Sequence, residues 1–450
     1  MPMRATTNER TRGRWLLGLG CAALLLSACS EREVILPGER IGIFEALGAE
    51  DAPALDPAPN RSLPIRLPAA VRNANWSQAP VTDATRTAHP ALGTALQLAF
   101  AAPIGQGDSR RQRITAAPVV EGGRVFTLDS SAQVTATTTG GATAWTYNLT
   151  PLRDNVGEAH GGGLAVGGGR LYVTSGFGRL VALDPATGRE LWVQDLDGTG
   201  TGTPSYRDGV VYLVSGDTTG WAIEADTGRI RWQIDSVEDL GNVSGGPAPA
   251  ITDTLAIFGF GSGELAAAFR KGGLSVWNGA IAGRRAGRAR ALIQDITGDP
   301  MVAGDRLYVG NFSGSMAALD VNSGERIWTA QEGATGPAWP VGGSVFAVTD
   351  LGELVRLDAA TGARVWGVPL PGFVRQKPRR RSEVVAHHGP IVAGGRVIVA
   401  SNDGLLRQFD PTSGALLGRT EIPGGATTAP VVAGGTLYVV STSGQLLAYR

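Results

Sequence analysis

One recurring phrase constrains this chain more than any bulk property. It reads "VALDPATGRELW" at 181–192 and returns as "AALDVNSGERIW" at 317–328 and "VRLDAATGARVW" at 355–366. The phrase and its weaker copies end on Trp145, Trp192, Trp232, Trp277, Trp328 and Trp366. Four residues before each stands a glycine: Gly141, Gly188, Gly228, Gly273, Gly324 and Gly362. A seventh copy, "FDPTSGALLG" (409–418), keeps Gly414 and puts Gly418 at the tryptophan position. An eighth, 428–450, stops before that segment. Self-similarity at 38 to 52 residues marks an array in which each unit buries its faces against its neighbours.

The grammar inside a unit is that of a strand meander. A short apolar strand such as "APVV" (117–120) or "GPIV" (389–392) is followed by a turn pair: Gly122-Gly123, Asp208-Gly209 or Gly394-Gly395. Such pairs supply the positive φ angles of two-residue hairpins. Then come "RLYVTS" or "RVIVAS", a second turn, an alternating third strand, the D-x-x-T/S-G turn and the strand carrying tryptophan. Four short strands per unit predict an all-β fold: an eight-bladed β-propeller of four-stranded antiparallel blades. The eighth copy lacks its last strand, and "TALQLAFAAPIG" (94–105) is an orphan with Phe100 where a tryptophan would stand. Pairing the two closes the ring and removes the free edge. The 65 glycines follow no collagen period and fall in the turns.

The N-terminus reads as an address. Arg4, Arg10, Arg12 and Arg14 precede "WLLGLGCAALLL" (15–26), an apolar run shorter than a comfortable membrane span. It ends in "LSAC", which resembles the bacterial lipobox, so Cys29 is the expected lipidation site. Ser30, rather than Asp, follows it, which by that resemblance implies the outer membrane. The expected organisation is a signal peptide over 1–28, a Pro-rich tether over 29–75 and the propeller over 76–450.

Little in the body speaks of catalysis. The only cysteines are Cys21 and Cys29, so no disulfide framework or cysteine metal site exists after residue 29. No nucleophile elbow, phosphate loop or paired-carboxylate motif appears. His160 opens the inner strand of the second blade and His387-His388 that of the seventh, so these face the channel as a polar lining or a metal or anion site. Forty basic and forty acidic residues balance, which excludes a nucleic-acid binder by bulk charge. Two basic insertions stand out. Arg284, Arg285, Arg288 and Arg290 lie between the fourth and fifth blades. Arg375, Lys377, Arg379, Arg380 and Arg381 lie between the sixth and seventh. All such connections leave a propeller on one face, as a solvated charge run or a docking surface for acidic protein or anionic lipid.

The blade phrase resembles the pyrroloquinoline-quinone-type repeat. Enzymes of that type hold their quinone with a vicinal disulfide, a tryptophan stack and a carboxylate-bound calcium ion. The missing cysteines argue against that use here. Together with the lipobox and tether, the quinone-free ring resembles the BamB family, propeller lipoproteins of the machinery that inserts β-barrel proteins into the outer membrane. That resemblance covers about residues 20–450. It implies a non-enzymatic scaffold without cofactor, anchored at the periplasmic face of the outer membrane. The implied partners are the POTRA domains of BamA and other subunits of the assembly complex, met through loops around blades three to five. On this chain the implied contacts are Asp295 in "QDITGDP" and Val243 in "LGNVSGGPAP" (240–249). Ser244 stands where the family would have Arg, and the nearby Arg284, Arg285, Arg288 and Arg290 are placed to compensate. The rival readings are a quinone or metal enzyme and a binder of envelope polymer or lipid.

Overall fold

Each copy of the phrase folds into one four-stranded antiparallel sheet, and there are eight. The computed structural model describes residues 59–216, 218–237, 246–281, 295–375, 377, 379, 381 and 383–450. Blade 2 is representative. Its strands are Leu164–Gly167, Arg170–Ser175, Arg179–Leu183 and Glu190–Asp195, hydrogen-bonded in that order from the inner to the outer edge. The second strand, RLYVTS, is buried almost throughout because neighbouring blades cover both its faces. The outer strand, ELWVQD, has only half-buried and exposed positions because one edge and part of its faces meet water. Inner strands of successive blades touch, which arranges the sheets radially into the eight-bladed β-propeller expected.

The recurring phrase is the blade-to-blade joint. Asp184 accepts the backbone N–H groups of Ala186 and Thr187 at 2.8 and 3.0 Å, shaping the turn. Gly188 then sits at φ +74°, a conformation that L side chains rarely adopt. Its missing side chain also makes room for the tryptophan of the preceding blade. A Cβ on Gly188 would lie 2.6 Å from Trp145 Cε3. The indole N–H of Trp145 donates to the Pro185 carbonyl in the same turn at 3.1 Å. The seat recurs with Trp192 on Gly228, Trp232 on Gly273, Trp277 on Gly324, Trp328 on Gly362 and Trp366 on Gly414. Burying an indole at ~25 cal/mol per Å² gives each seat an upper bound of ~4–6 kcal/mol.

Ring closure uses the same device with a substitute. Leu98–Pro103 pairs antiparallel with Gln445–Tyr449 and completes blade 8, and Phe100 packs on Gly141 of blade 1. Blade 7 carries Gly418 in place of tryptophan because blade 8 has no D-x-x-T/S-G turn to receive one. The segment leading into the closing strand lies there instead, and the Arg396 guanidinium of blade 7 donates to its Thr94 carbonyl at 2.8 Å.

The tether boundary lies differently from the expectation. The compact unit begins at Ala58, and residues 59–75 pack on the ring. The Asn60 side chain exchanges two hydrogen bonds with the Gly367 backbone, each 2.9 Å. Arg356 donates to the Leu63 carbonyl at 2.6 Å, and Asn73 donates to Val432 at 2.7 Å. From there the chain crosses one end of the central channel as a strap. Trp76 exchanges backbone hydrogen bonds with Val120 of blade 1, and Ser77 accepts from Val166 of blade 2. Gln78 binds Tyr206 of blade 3 through both its amide atoms. Val81 accepts from Val302 of blade 5, Arg86 donates to Pro340 of blade 6, and Pro90 accepts from Gly394 of blade 7. His89 is a fixed part of this strap. Its Nε2 accepts from Gly395 at 2.8 Å, which leaves Nδ1 to donate to Pro68 at 2.7 Å. Residues 1–58, with the signal peptide and Cys29, lie outside the described residues.

Candidate functional site

Two features of the ring are candidates for function: the cavity on its axis and the face opposite the strap. The cavity measures about 370 Å³. Trp76, Gln78, Ala79 and Pro80 close it on the strap side, with the Trp76 and Trp339 rings stacked 6.0 Å apart. Its walls come from the inner strands and the segments that enter them, among them Asp295, Thr297 and Asp299 before blade 5, His387 and His388 in blade 7, and Thr427 and Thr428 before blade 8. Neither lysine nor arginine is among the described residues that line it.

The titratable groups here are displaced from their ordinary values by lack of water. Burial raises the Asp299 carboxyl to about 6, against the Ala248 N–H that its Oδ1 accepts at 2.8 Å. Burial, with His387 beside it, holds the His388 imidazole down at about 4. His387 is lowered too, chiefly by burial. Its Nε2 donates to the Pro371 carbonyl at 3.0 Å and its Nδ1 accepts from Ser401 at 2.7 Å, so both ring nitrogens are occupied. His160, expected near the same channel end, is not among the cavity-lining residues. No group of three or more His, Cys, Asp or Glu among the described residues is arranged to hold a metal.

The expected docking residues divide. Val243 lies in 238–245 and Arg284, Arg285, Arg288 and Arg290 in 282–294, all outside the described residues. Asp295 is among the described residues. It is only 3% exposed and lines the cavity, not the outer surface. Its backbone carbonyl accepts from Phe312 at 3.2 Å, anchoring the base of the connection into blade 5. Sequence reasoning missed Asp299, four residues on, whose setting depends on Ala248 in a distant segment.

The face opposite the strap carries the connections between blades. Strand direction alternates within every blade, so each outer-to-inner connection emerges at this end. These connections expose large apolar residues: Leu152 and Val156 after blade 1, Val237 after blade 3, Val374 and Val384 after blade 6. Arg153, Arg375, Lys377, Arg379 and Arg381 accompany them, with the Arg381 guanidinium 5.4 Å from the Phe373 ring centroid.

Fold and cavity together define a class: an eight-bladed ring of the quinoprotein repeat type whose described residues do not fit a quinone. Its cysteines are confined to positions 21 and 29, so the vicinal disulfide is missing, and no cation lines the described cavity to meet an anionic quinone. The family model described as outer membrane protein assembly factor BamB matches residues 130–368 and 375–450, and the chain belongs to that family. It is 24% identical to BamB of Shewanella oneidensis over 361 residues, covering 78% of this chain and 88% of the relative. It is 25% identical to BamB of Burkholderia pseudomallei over 366 residues, covering 79% and 88%. Among solved structures, BamB from Moraxella catarrhalis superposes with a TM-score of 0.67 at 20% identity, covering 79% of this chain and all of that one. The quinohemoprotein alcohol dehydrogenase of Comamonas testosteroni superposes at 0.63 with 18% identity, covering 84% and 81%. Likeness at these identities speaks to the fold alone.

Proposed function

We propose that this protein is a non-enzymatic scaffold of the outer-membrane β-barrel assembly machinery. In this reading Cys29 is lipidated and holds the ring at the periplasmic face of the outer membrane. The connection-bearing face docks the POTRA domains of BamA. Membership of the BamB family supports the assembly role. The observation that carries the docking face is its exposed Leu152, Val156, Val237, Val374 and Val384, set in connections that ring stability does not require to be apolar. A mixed apolar and basic rim suits a partner with acidic residues around an apolar centre. In this reading Val243 and the arginines 284, 285, 288 and 290, which lie outside the described residues, also meet the partner. Asp295, being buried, acts in this reading by holding the base of its connection. The test is affinity capture of the chain from detergent-solubilised membranes, with mass spectrometry of what remains bound. BamA and its companion subunits are the expected yield. A preparation that retains glycan or lipid and no assembly subunit would overturn the scaffold reading in favour of an envelope-polymer binder.

A further inference from the structure

The cavity under the strap has a chemistry that the scaffold role does not use. It is closed on one side by Trp76, Gln78, Ala79 and Pro80 and is lined by acceptors without a matching cation among the described residues. Asp299 is the clearest of these. It accepts one backbone hydrogen bond, from Ala248, and no described cation neutralises it. Thr428 is a second, independent sign. It is 3% exposed, lines the cavity, and its Oγ1 has no hydrogen-bond partner. A buried hydroxyl left without a partner costs free energy that a ligand group would recover. His388, which lines the same cavity from blade 7, remains neutral near pH 7, so its imidazole offers an acceptor nitrogen instead of competing as a cation.

We propose that this cavity binds a small organic cation, a protonated primary amine, with the Asp299 carboxylate as its counter-ion and Thr428 and His388 as further acceptors. An ammonium group carries three donors and no acceptor, which complements a wall of carboxylate, hydroxyl and imidazole. A metal ion is a poorer fit, because calcium needs six to eight oxygens and the described residues offer no ligating cluster. Anions meet a carboxylate and no described lysine or arginine. At about 370 Å³ the cavity lies at the small end of the ~300–1,000 Å³ usual for small-molecule sites. The amine can belong to a free metabolite or to a lysine side chain of a bound peptide, and the two arms of the test separate these sources.

The purified full chain is titrated calorimetrically at pH 7.5 with cadaverine and, separately, with a Gly-Lys-Gly peptide blocked at both ends. Saturable binding of cadaverine identifies a free amine as ligand. Binding of the blocked peptide alone assigns the same site to a lysine side chain. Asp299→Asn keeps the acceptor for Ala248 and removes the charge, so affinity should fall at least about tenfold. Thr428→Val should weaken binding by a few fold without moving the melting transition. Glu158→Gln, an exposed carboxylate on the connection face, should bind like wild type. Should Asp299→Asn fold poorly, the Thr428→Val titration carries the test alone. Neither probe binding at ~10 mM, a concentration at which even millimolar sites fill, would overturn the proposal. So would wild-type affinity in Asp299→Asn, or glutarate binding in place of the amine.

Discussion

Replacing Gly362 by alanine tests the joint that holds the blades in a ring. Gly362 sits at φ +73° in the blade 6 turn, and a Cβ there would lie 2.6 Å from Trp328 Cε3. Gly343, in the same blade at φ +74°, has nothing within 4 Å of the Cβ position. The two sites share the backbone strain of a left-handed alanine, ~1–2 kcal/mol. Only Gly362 adds a steric conflict with a packed indole, typically ~1–3 kcal/mol. Gly343→Ala should therefore cost about 1–2 kcal/mol and Gly362→Ala about 2–5 kcal/mol. Urea unfolding, followed by tryptophan fluorescence and by circular dichroism, measures both. Trp328→Phe removes part of the ring from the seat, so combining it with Gly362→Ala should recover ~1 kcal/mol or more of the loss. Equal costs at the two glycines, or strict additivity with Trp328→Phe, would refute the seat as the source of blade cohesion.

Deleting 93–106 should expose the edge of blade 8 and produce aggregation or a large drop in melting temperature, because Leu98–Pro103 supplies its outer strand. Deleting 59–75 should also lower the melting temperature, since Asn60, Leu63 and Asn73 bond to blades 6 and 8. The cavity predicts a pH signature of two opposed terms. Asp299, raised to about 6, disfavours the folded state as pH rises from about 4 to 6. His388, held at about 4, disfavours it as pH falls from about 6.5 to 4. Asp299→Asn should thus be more stable than wild type at pH 7, by up to ~3 kcal/mol, with the difference vanishing near pH 4. Urea midpoints across that range check the sign, and a difference that grows on acidification would contradict it. Cys29→Ala should abolish metabolic labelling with palmitate, and an unlabelled wild-type protein would end the lipoprotein assignment.

The blades were legible because the joint repeats at a fixed offset: an indole four residues after the glycine of its own turn always meets the glycine of the next blade. Closure was legible for a related reason, since a missing strand at one end and Phe100 at the other imply each other. Even Gly418 follows once the absent turn of blade 8 is recognised. The segment that leads into the strap left little trace in sequence. Residues 59–75 are Pro-rich and hold the ring through backbone groups and scattered Asn and Arg side chains, which create no hydrophobic period. Asp295 was singled out by the family resemblance, but burial depends on what packs over a residue, and that is a tertiary property. Asp299 was invisible because a carboxylate in "TGDP" reads as a turn residue, and only its contact with Ala248 reveals the cavity wall.

The scaffold account is tested most directly by the affinity of the purified full chain for the POTRA domains of BamA from the same bacterium, measured at low and high salt. Wild type should bind at both. Val243→Asp should weaken binding in either salt by desolvating a charge in the contact. Neutralising Arg284, Arg285, Arg288 and Arg290 together should mainly slow association, and that defect should fade as the Debye length contracts from ~10 Å at 0.1 M salt to ~3 Å at 1 M. If wild type shows no POTRA binding at either salt, the central claim fails.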